Sequence, residues 1–266
     1  MTSRQNGFSK FELPTGRSLW IPSDLSFRLP ARSSVAASRL HALVYIPWDD
    51  RYLEGVDEAY REFFRVVLPY LHARSTDVHV AACLPFVPEL VAADPEPVDE
   101  RVVVLAFILH DSGWSQMSED EIADSLGVQG LALSGEAVAP KLRHVQLGRE
   151  IAERLIKGFA FQPPLTQAQE ELIYQAILLH DKPAEVAASP ASVRLVCDVD
   201  HLWSFTHEDF WQDVIRKDVE PPAYLTNLGA DLDGYFVGAA GKRKARALLA
   251  ERRREVAAWE KWQSAG

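Results

Sequence analysis

The segment Ala106-Phe107-Ile108-Leu109-His110-Asp111 puts an imidazole and a carboxylate next to each other at the end of a strongly apolar run. Left there without partners, both groups would be costly to bury, so something must satisfy them. Where a helix unwinds, adjacent His and Asp side chains can turn toward one cation. Imidazole nitrogen and carboxylate oxygen together suit Mn, Fe, Co, Ni or Zn rather than Ca. More residues of these types obey the same logic. His79 stands 31 residues before His110, His144 33 after Asp111, His180 36 further on, and Asp200 another 20 beyond. Taken singly, each reads as a hydrogen-bonded core residue. Taken together they fall on separate expected helices, and a bundle can aim such a set at one centre.

The elements that must do the aiming are helical. Tyr52, Val56, Tyr60, Phe63, Phe64, Val67 and Leu71 recur at threes and fours, the spacing of an amphipathic helix. Ser75-Thr76-Asp77 supplies capping side chains for a helix from Val78 toward Ala92,. Asp94-Pro95-Glu96-Pro97 ends it, and a buried helix runs from about Val98 to His110. Residues 112–139 read as a long connection with one short helix near Glu119–Ser125. Pro140 is expected to open the next helix, with His144, Leu147, Gly148, Ile151, Ala152, Leu155 and Ile156 on one face,. Thr166 and Gln169 have capping-box spacing for a helix ending near His180,. Further helices are expected over Ser192–Phe205, Tyr224–Phe236 and Lys242–Trp262. Residues 1–50, interrupted by Pro14, Pro22, Pro30 and Pro47, read as an irregular N-terminal extension packed on the core, with room for short strand-like pieces such as Leu43–Ile46. Residues 51–266 then form the helical domain, and the fold class is all-α.

In this order, His79, His110-Asp111 and Asp200 resemble the HD-domain superfamily of metal-dependent phosphohydrolases. Three local contexts carry the likeness. Leu109-His110-Asp111-Ser112-Gly113 is similar to the family's Leu-His-Asp-x-Gly, His144-Val145-Gln146-Leu147-Gly148 to its His-x-x-x-Gly helix, and Val199-Asp200-His201-Leu202 to its Ala-Asp-x-Leu segment. The likeness covers roughly residues 50–205 and implies an HD-domain-like helical bundle. Carried over, it makes His79, His110, Asp111 and Asp200 ligands of a first metal, with His110 and Asp111 at the catalytic centre. His144 and His180 match the additional histidines of dinuclear members, in which Asp111 would bridge two ions. Asp198 is a rival to Asp200, which is favoured because His201-Leu202 comes after it in the family's register. His72, at the end of the preceding helix, is the weaker rival to His79. Trp114 departs from the pattern, since many relatives carry a basic residue there; its presence implies one phosphate contact or outer hydrogen-bond donor fewer. Asp181 reads as a helix-end or supporting residue. No Gly-Tyr-Pro comes after it, which disfavours the cyclic-dinucleotide phosphodiesterase branch.

The chemistry implied is hydrolysis of a phosphate ester, a nucleotide or another small phosphorylated metabolite, by a hydroxide bound to one or two divalent ions (Mn, Fe, Co, Ni or Zn). Lys141 and Arg143, one turn from His144, and Arg194 are candidates to bind the phosphate. Two other readings stay open. One is an HD-type di-iron oxygenase acting on a small polar metabolite, because the same ligands hold iron and manganese almost equally well. The other is a non-catalytic nucleotide- or partner-binding module with a structural metal; against it stands a ligand set with no position lost.

Composition narrows the remainder. With 28 basic and 38 acidic side chains the formal charge is −10, which argues against an extended nucleic-acid footprint. The local exception, Gly241–Gly266, has eight basic residues against three acidic and reads as a solvated helix face. Cys83 and Cys197 are too few for a disulfide framework or a Cys-rich zinc site,. The longest purely apolar run, Val102 to Leu109, has eight residues, against roughly 20 for a membrane span. With no signal segment at the start, a cytoplasmic protein without a membrane partner is expected, and a homodimer stays open. There is no phosphate-binding Gly-x-x-x-x-Gly-Lys loop and no Gly-x-Ser-x-Gly elbow,.

Overall fold

Val102 to Leu109 are buried on every side, and the helix they form is the axis about which the others pack. The computed structural model describes residues 7–125 and 135–265. Within them the chain opens with an antiparallel hairpin, β1 (Phe8–Glu12) and β2 (Ser18–Pro22), in which Lys10 pairs with Trp20. Helices α1 (Glu58–Val67), α2 (Thr76–Cys83) and α3 (Val87–Ala93) lead to the central α4 (Glu100–Leu109). The chain continues through α5 (Glu119–Asp124), α6 (Gly135–Gly158), α7 (Gln167–Leu179), α8 (Pro183–Val186) and α9 (Ala191–His201). It closes with α10 (His207–Arg216), α11 (Pro221–Tyr235) and α12 (Ala239–Ala265). Helices α7 and α9 flank α4, α6 packs on α7, and α11 and α12 pack against each other. The fold is predominantly helical, with one small two-stranded sheet among the described residues.

Local chemistry explains most of the boundaries. The Asp99 carboxylate accepts from Val102 N at 3.2 Å and starts α4. Capping boxes at Ser118/Glu121 and Thr166/Gln169 start α5 and α7,. The helix expected from Val78 to Ala92 is two helices, because Pro85 lies in a 3₁₀ turn, Leu84–Phe86, between them,. The helical spacing after Asp50 is likewise divided, into a 3₁₀ turn at Asp50–Gly55 and α1. Pro140 does not open α6 but sits inside it, near its start. Of the connection expected over 112–139, residues 126–134 lie outside the described residues.

Two elements differ from the expected set. In the N-terminal region the strands are β1 and β2; Tyr45 of the expected Leu43–Ile46 piece makes only an isolated bridge with Arg28. Phe8, Leu19 and Ile21 of the hairpin belong to the main core, and Trp259 Nε1 donates to Trp20 O at 2.9 Å, tying α12 to β2. Helix α10 falls between the helices expected over Ser192–Phe205 and Tyr224–Phe236, where none was expected. Thr206 caps it by accepting from Asp209 N, and Phe210, Trp211, Val214 and Ile215 are buried. The stretch Ala73–Ala93 has the length and hydropathy of a membrane span, but α2 and α3 are separated there and more than half of it is buried inside the protein.

Candidate metal centre

His110 ends α4, and its Nδ1 donates to Phe107 O at 2.6 Å. A carbonyl only accepts, so Nδ1 carries a proton, and Nε2 is left to face the carboxylates of the cluster, where it holds either a second proton or a cation. Nε2 faces Asp200 Oδ1 at 3.2 Å and Asp111 Oδ2 at 3.5 Å. His180 ends α7 in the same manner, with Nδ1 donating to Ile177 O at 2.8 Å. Its Nε2 lies 3.5 Å from Asp111 Oδ1 and 3.3 Å from His144 Nε2. From α6, His144 Nε2 approaches Asp111 Oδ1 at 3.3 Å. From α2, His79 reaches Asp111 Oδ2 with Nδ1 at 3.8 Å and Asp200 Oδ1 with Nε2 at 3.4 Å.

Asp111 therefore divides the cluster. Its Oδ2 belongs with His79, His110 and Asp200, and its Oδ1 with His144 and His180. In each group the donor atoms lie within 4.8 Å of one another, and both groups could hold a metal ion. A third group joins His180, Asp181 and Asp200. The donor chemistry fits borderline divalent metals. The backbone carbonyls that orient His110 and His180 are the kind of outer support that metal-binding imidazoles use. His79 Nε2, buried and without a hydrogen-bond partner among the described residues, is the orphan atom that an ion would satisfy,.

Electrostatics point the same way. Burial works against charge on Asp111, but the His110 charge and the hydrogen bonds of His144 and His180 outweigh it and hold the carboxyl well below its usual range. Burial is likewise outweighed at Asp200, where His110 holds the pKa down at about 2, and at Asp181, which Lys141 holds low. Burial pushes His79 and His144 down toward neutral imidazoles. At His110 and His180 the carboxylates overcome burial, raising His180 to about 9. Protons gather where negative charge is in excess, and a divalent cation would replace them.

Two glycines bring α6 to Asp111. A Cβ on Gly113 would lie 1.9 Å from His144 O and 2.6 Å from Gly148 N. A Cβ on Gly148 would lie 3.2 Å from His110 O. The glycines of the two motifs thus permit one close backbone approach. Trp114, expected to cost the site a donor, instead supplies one: its buried indole Nε1 donates to Asp111 Oδ1 at 3.0 Å. The ring stacks on His144 at 4.1 Å, and the Arg74 guanidinium lies 4.3 Å from its centroid.

The rival ligands lie elsewhere. Asp198 accepts from Val237 N at 2.7 Å and Gly238 N at 2.8 Å, bracing the α11–α12 connection. His72 pairs with Asp77. Lys141 lines the cavity at the cluster and donates to Asp181 Oδ1 at 2.7 Å. Arg143 and Arg194 are not brought to the cluster: Arg143 pairs with Glu121, and Arg194 with Glu96 and Ser189 O. The cavity, of about 110 Å³, draws further cations from Arg74, Arg216 and Lys217. Sequence spacing singles out none of these three, because two belong to α10 or its end and Arg74 sits in a turn with φ 60°. The Thr206-x-x-Asp209 cap is the signal that could have revealed α10,.

Cys83 and Cys197 are free and buried, and burial raises both thiols well above their ordinary range, as for packed core residues. Comparison of the chain with protein-family models, with curated proteins and with solved structures finds no match. What is established at this centre is a buried His/Asp cluster with the donors and charge to hold a metal.

Proposed function

We propose that the chain is a metal-dependent phosphohydrolase acting on a small phosphate ester. The observation that carries this reading is the division of Asp111, with one carboxylate oxygen turned to each pair of histidines. His79, His110, Asp111 and Asp200 would hold one divalent ion, and Asp111, His144 and His180 a second. Ions held there would supply Lewis acidity to a phosphoryl oxygen and would lower the pKa of a water.

The chain's own groups complete the site. Lys141 presents an ammonium in the cavity wall for phosphate oxygens, and Asp181 orients it,. Trp114 holds Asp111 in register through its indole N–H. Arg74, over the outer face of Trp114, adds positive charge on the approach.

The test is elemental analysis of the purified protein, followed by phosphate release from a panel of esters after resupply of Mn, Co, Ni, Zn or Fe. About two ions per chain and chelator-sensitive phosphate release are expected. Absence of release with every metal would overturn the reading. Dioxygen consumption by a two-iron form, without phosphate release, would replace it with oxidation at the same donors.

A further inference from the structure

Beyond the cluster, the cavity is walled by side chains of α10 whose hydrogen-bonding capacity is only partly used. Asp209 is 3% exposed, and its Oδ1 has no hydrogen-bond partner among the described residues. Arg216, 5% exposed, spends Nε on Val44 O and Nη2 on Arg74 O. Its Nη1 is 3.6 Å from Asp209 Oδ1 and 4.0 Å from Asp213 Oδ1, beyond hydrogen-bond distance for both,. Asp213 is already served by Lys217 at 2.8 Å and by Tyr224 Oη at 2.7 Å. Asp209 Oδ1, a buried acceptor, and Arg216 Nη1 thus stand adjacent in the wall, paired by charge but without a hydrogen bond between them or to the other described residues.

We propose that Asp209 and Arg216 recognise adjacent hydroxyl groups on the alcohol portion of the substrate, so that the ester cleaved is that of a small polyhydroxylated compound. This rests on the phosphate-ester reading of the neighbouring cluster. A hydroxyl donates and accepts at once, matching Asp209 Oδ1 and Arg216 Nη1. An ammonium group would face Arg74, Arg216 and Lys217 in the same wall. For a stacked base, each aromatic ring of the wall already has at least one face taken. Trp114 is already stacked by His144 and covered by Arg74, Trp203 stacks on His79, and Tyr235 on His201. Leaving Asp209 and Arg216 unmatched is costly, and that cost is the source of discrimination.

The experiment compares binding of two non-hydrolysable phosphonates, 3,4-dihydroxybutylphosphonate and butylphosphonate, to the full-length manganese-loaded protein. Tryptophan fluorescence reads the binding, since Trp114 and Trp203 line the cavity. The wild type is expected to prefer the dihydroxy compound by about tenfold or more. Asp209→Leu should bring the two affinities within about twofold, and Asp209→Asn, which keeps the shape and an acceptor, should restore most of the preference. Equal wild-type affinities, or a preference surviving in Asp209→Leu, would overturn the proposal; the wild-type comparison stands even if the Leu variant fails to fold. Phosphate release without a hydroxyl preference would overturn this inference alone. A hydroxyl preference without release from any ester would sustain the pocket assignment and overturn the hydrolase reading.

Discussion

Helices α4 and α7 run into the same three residues, Leu109-His110-Asp111 and Leu179-His180-Asp181, and both start at a side-chain cap. In both, the histidine closes the helix and donates from Nδ1 to the carbonyl three residues back. The imidazoles consequently point into the same cluster, with ring centroids 4.8 Å apart. The aspartates then part company. Asp111 lies among His79, His110, His144 and His180, whereas Asp181 is held by Lys141 and approaches only His144 and His180, at 3.6 and 3.8 Å. The residues just after each pair make the difference. Ser112-Gly113 lets the α6 backbone close on the turn, and Lys182-Pro183 leads instead into α8. An identical local signal thus sets where an imidazole aims, and the neighbour across the gap sets what the carboxylate does.

The comparison breaks most sharply at Asp111. Asp111→Ala should remove both ions and lower activity by about 10³-fold or more while preserving the helical circular dichroism, because it deletes the group common to both donor sets. Full metal content in that variant would refute the bridging role. Asp181→Asn should keep both ions and cost about 10- to 100-fold in activity, the range for an outer supporting group; loss of an ion would instead make it a ligand. Trp114→Phe keeps the stack on His144 and deletes the N–H to Asp111. Metal affinity is expected to fall about tenfold by competitive chelation, and an unchanged affinity would show that the indole only packs.

The smallest effect lies away from both aspartates and serves as the control for fold stability. Burial of His207 is outweighed by its hydrogen bond and charge pairing with Glu255, so its pKa is raised above 6.5. Its stabilising contribution is therefore fully present below the unfolded value of about 6.5 and lost as pH rises through the higher folded value. His207→Gln should lower the Tm by a few degrees near pH 6 and less at pH 9, at about 1 kcal/mol or below. Metal content should not move; a Tm difference that grows with pH would contradict the sign.

The legibility of the molecule tracks the range of the interactions. The apolar run of α4, the capping box of α7 and the amphipathic face of α6 are local patterns, and each appears where spacing predicts. Helix α10 is hidden because its buried aromatics, Phe210 and Trp211, are close in sequence to Trp203 and Phe205 at the end of the preceding element, although Thr206 marks a fresh cap between them. Arg143 and Arg194 are plausible phosphate ligands by distance along the chain, yet each is drawn to a nearby surface carboxylate. Asp198 and Asp200 differ by two residues on one helix, so they face different surroundings: the backbone N–H groups of Val237 and Gly238 take one, and the histidine cluster takes the other,.

By itself the amino-acid sequence determined the helical class, the histidines and aspartates able to form a centre, and the two glycine motifs that accompany them. These depend on periodicity, capping and residue chemistry, all of which act over a few residues. Only the tertiary structure decided that Asp111 rather than Asp181 stands between the histidine pairs, that Trp114 donates to it, and that Asp209 and Arg216 face the same cavity. Those outcomes require a backbone approach between α6 and the end of α4 and the docking of α10 against the same cavity, which arise from contacts between segments distant in sequence and leave no periodic trace along the chain.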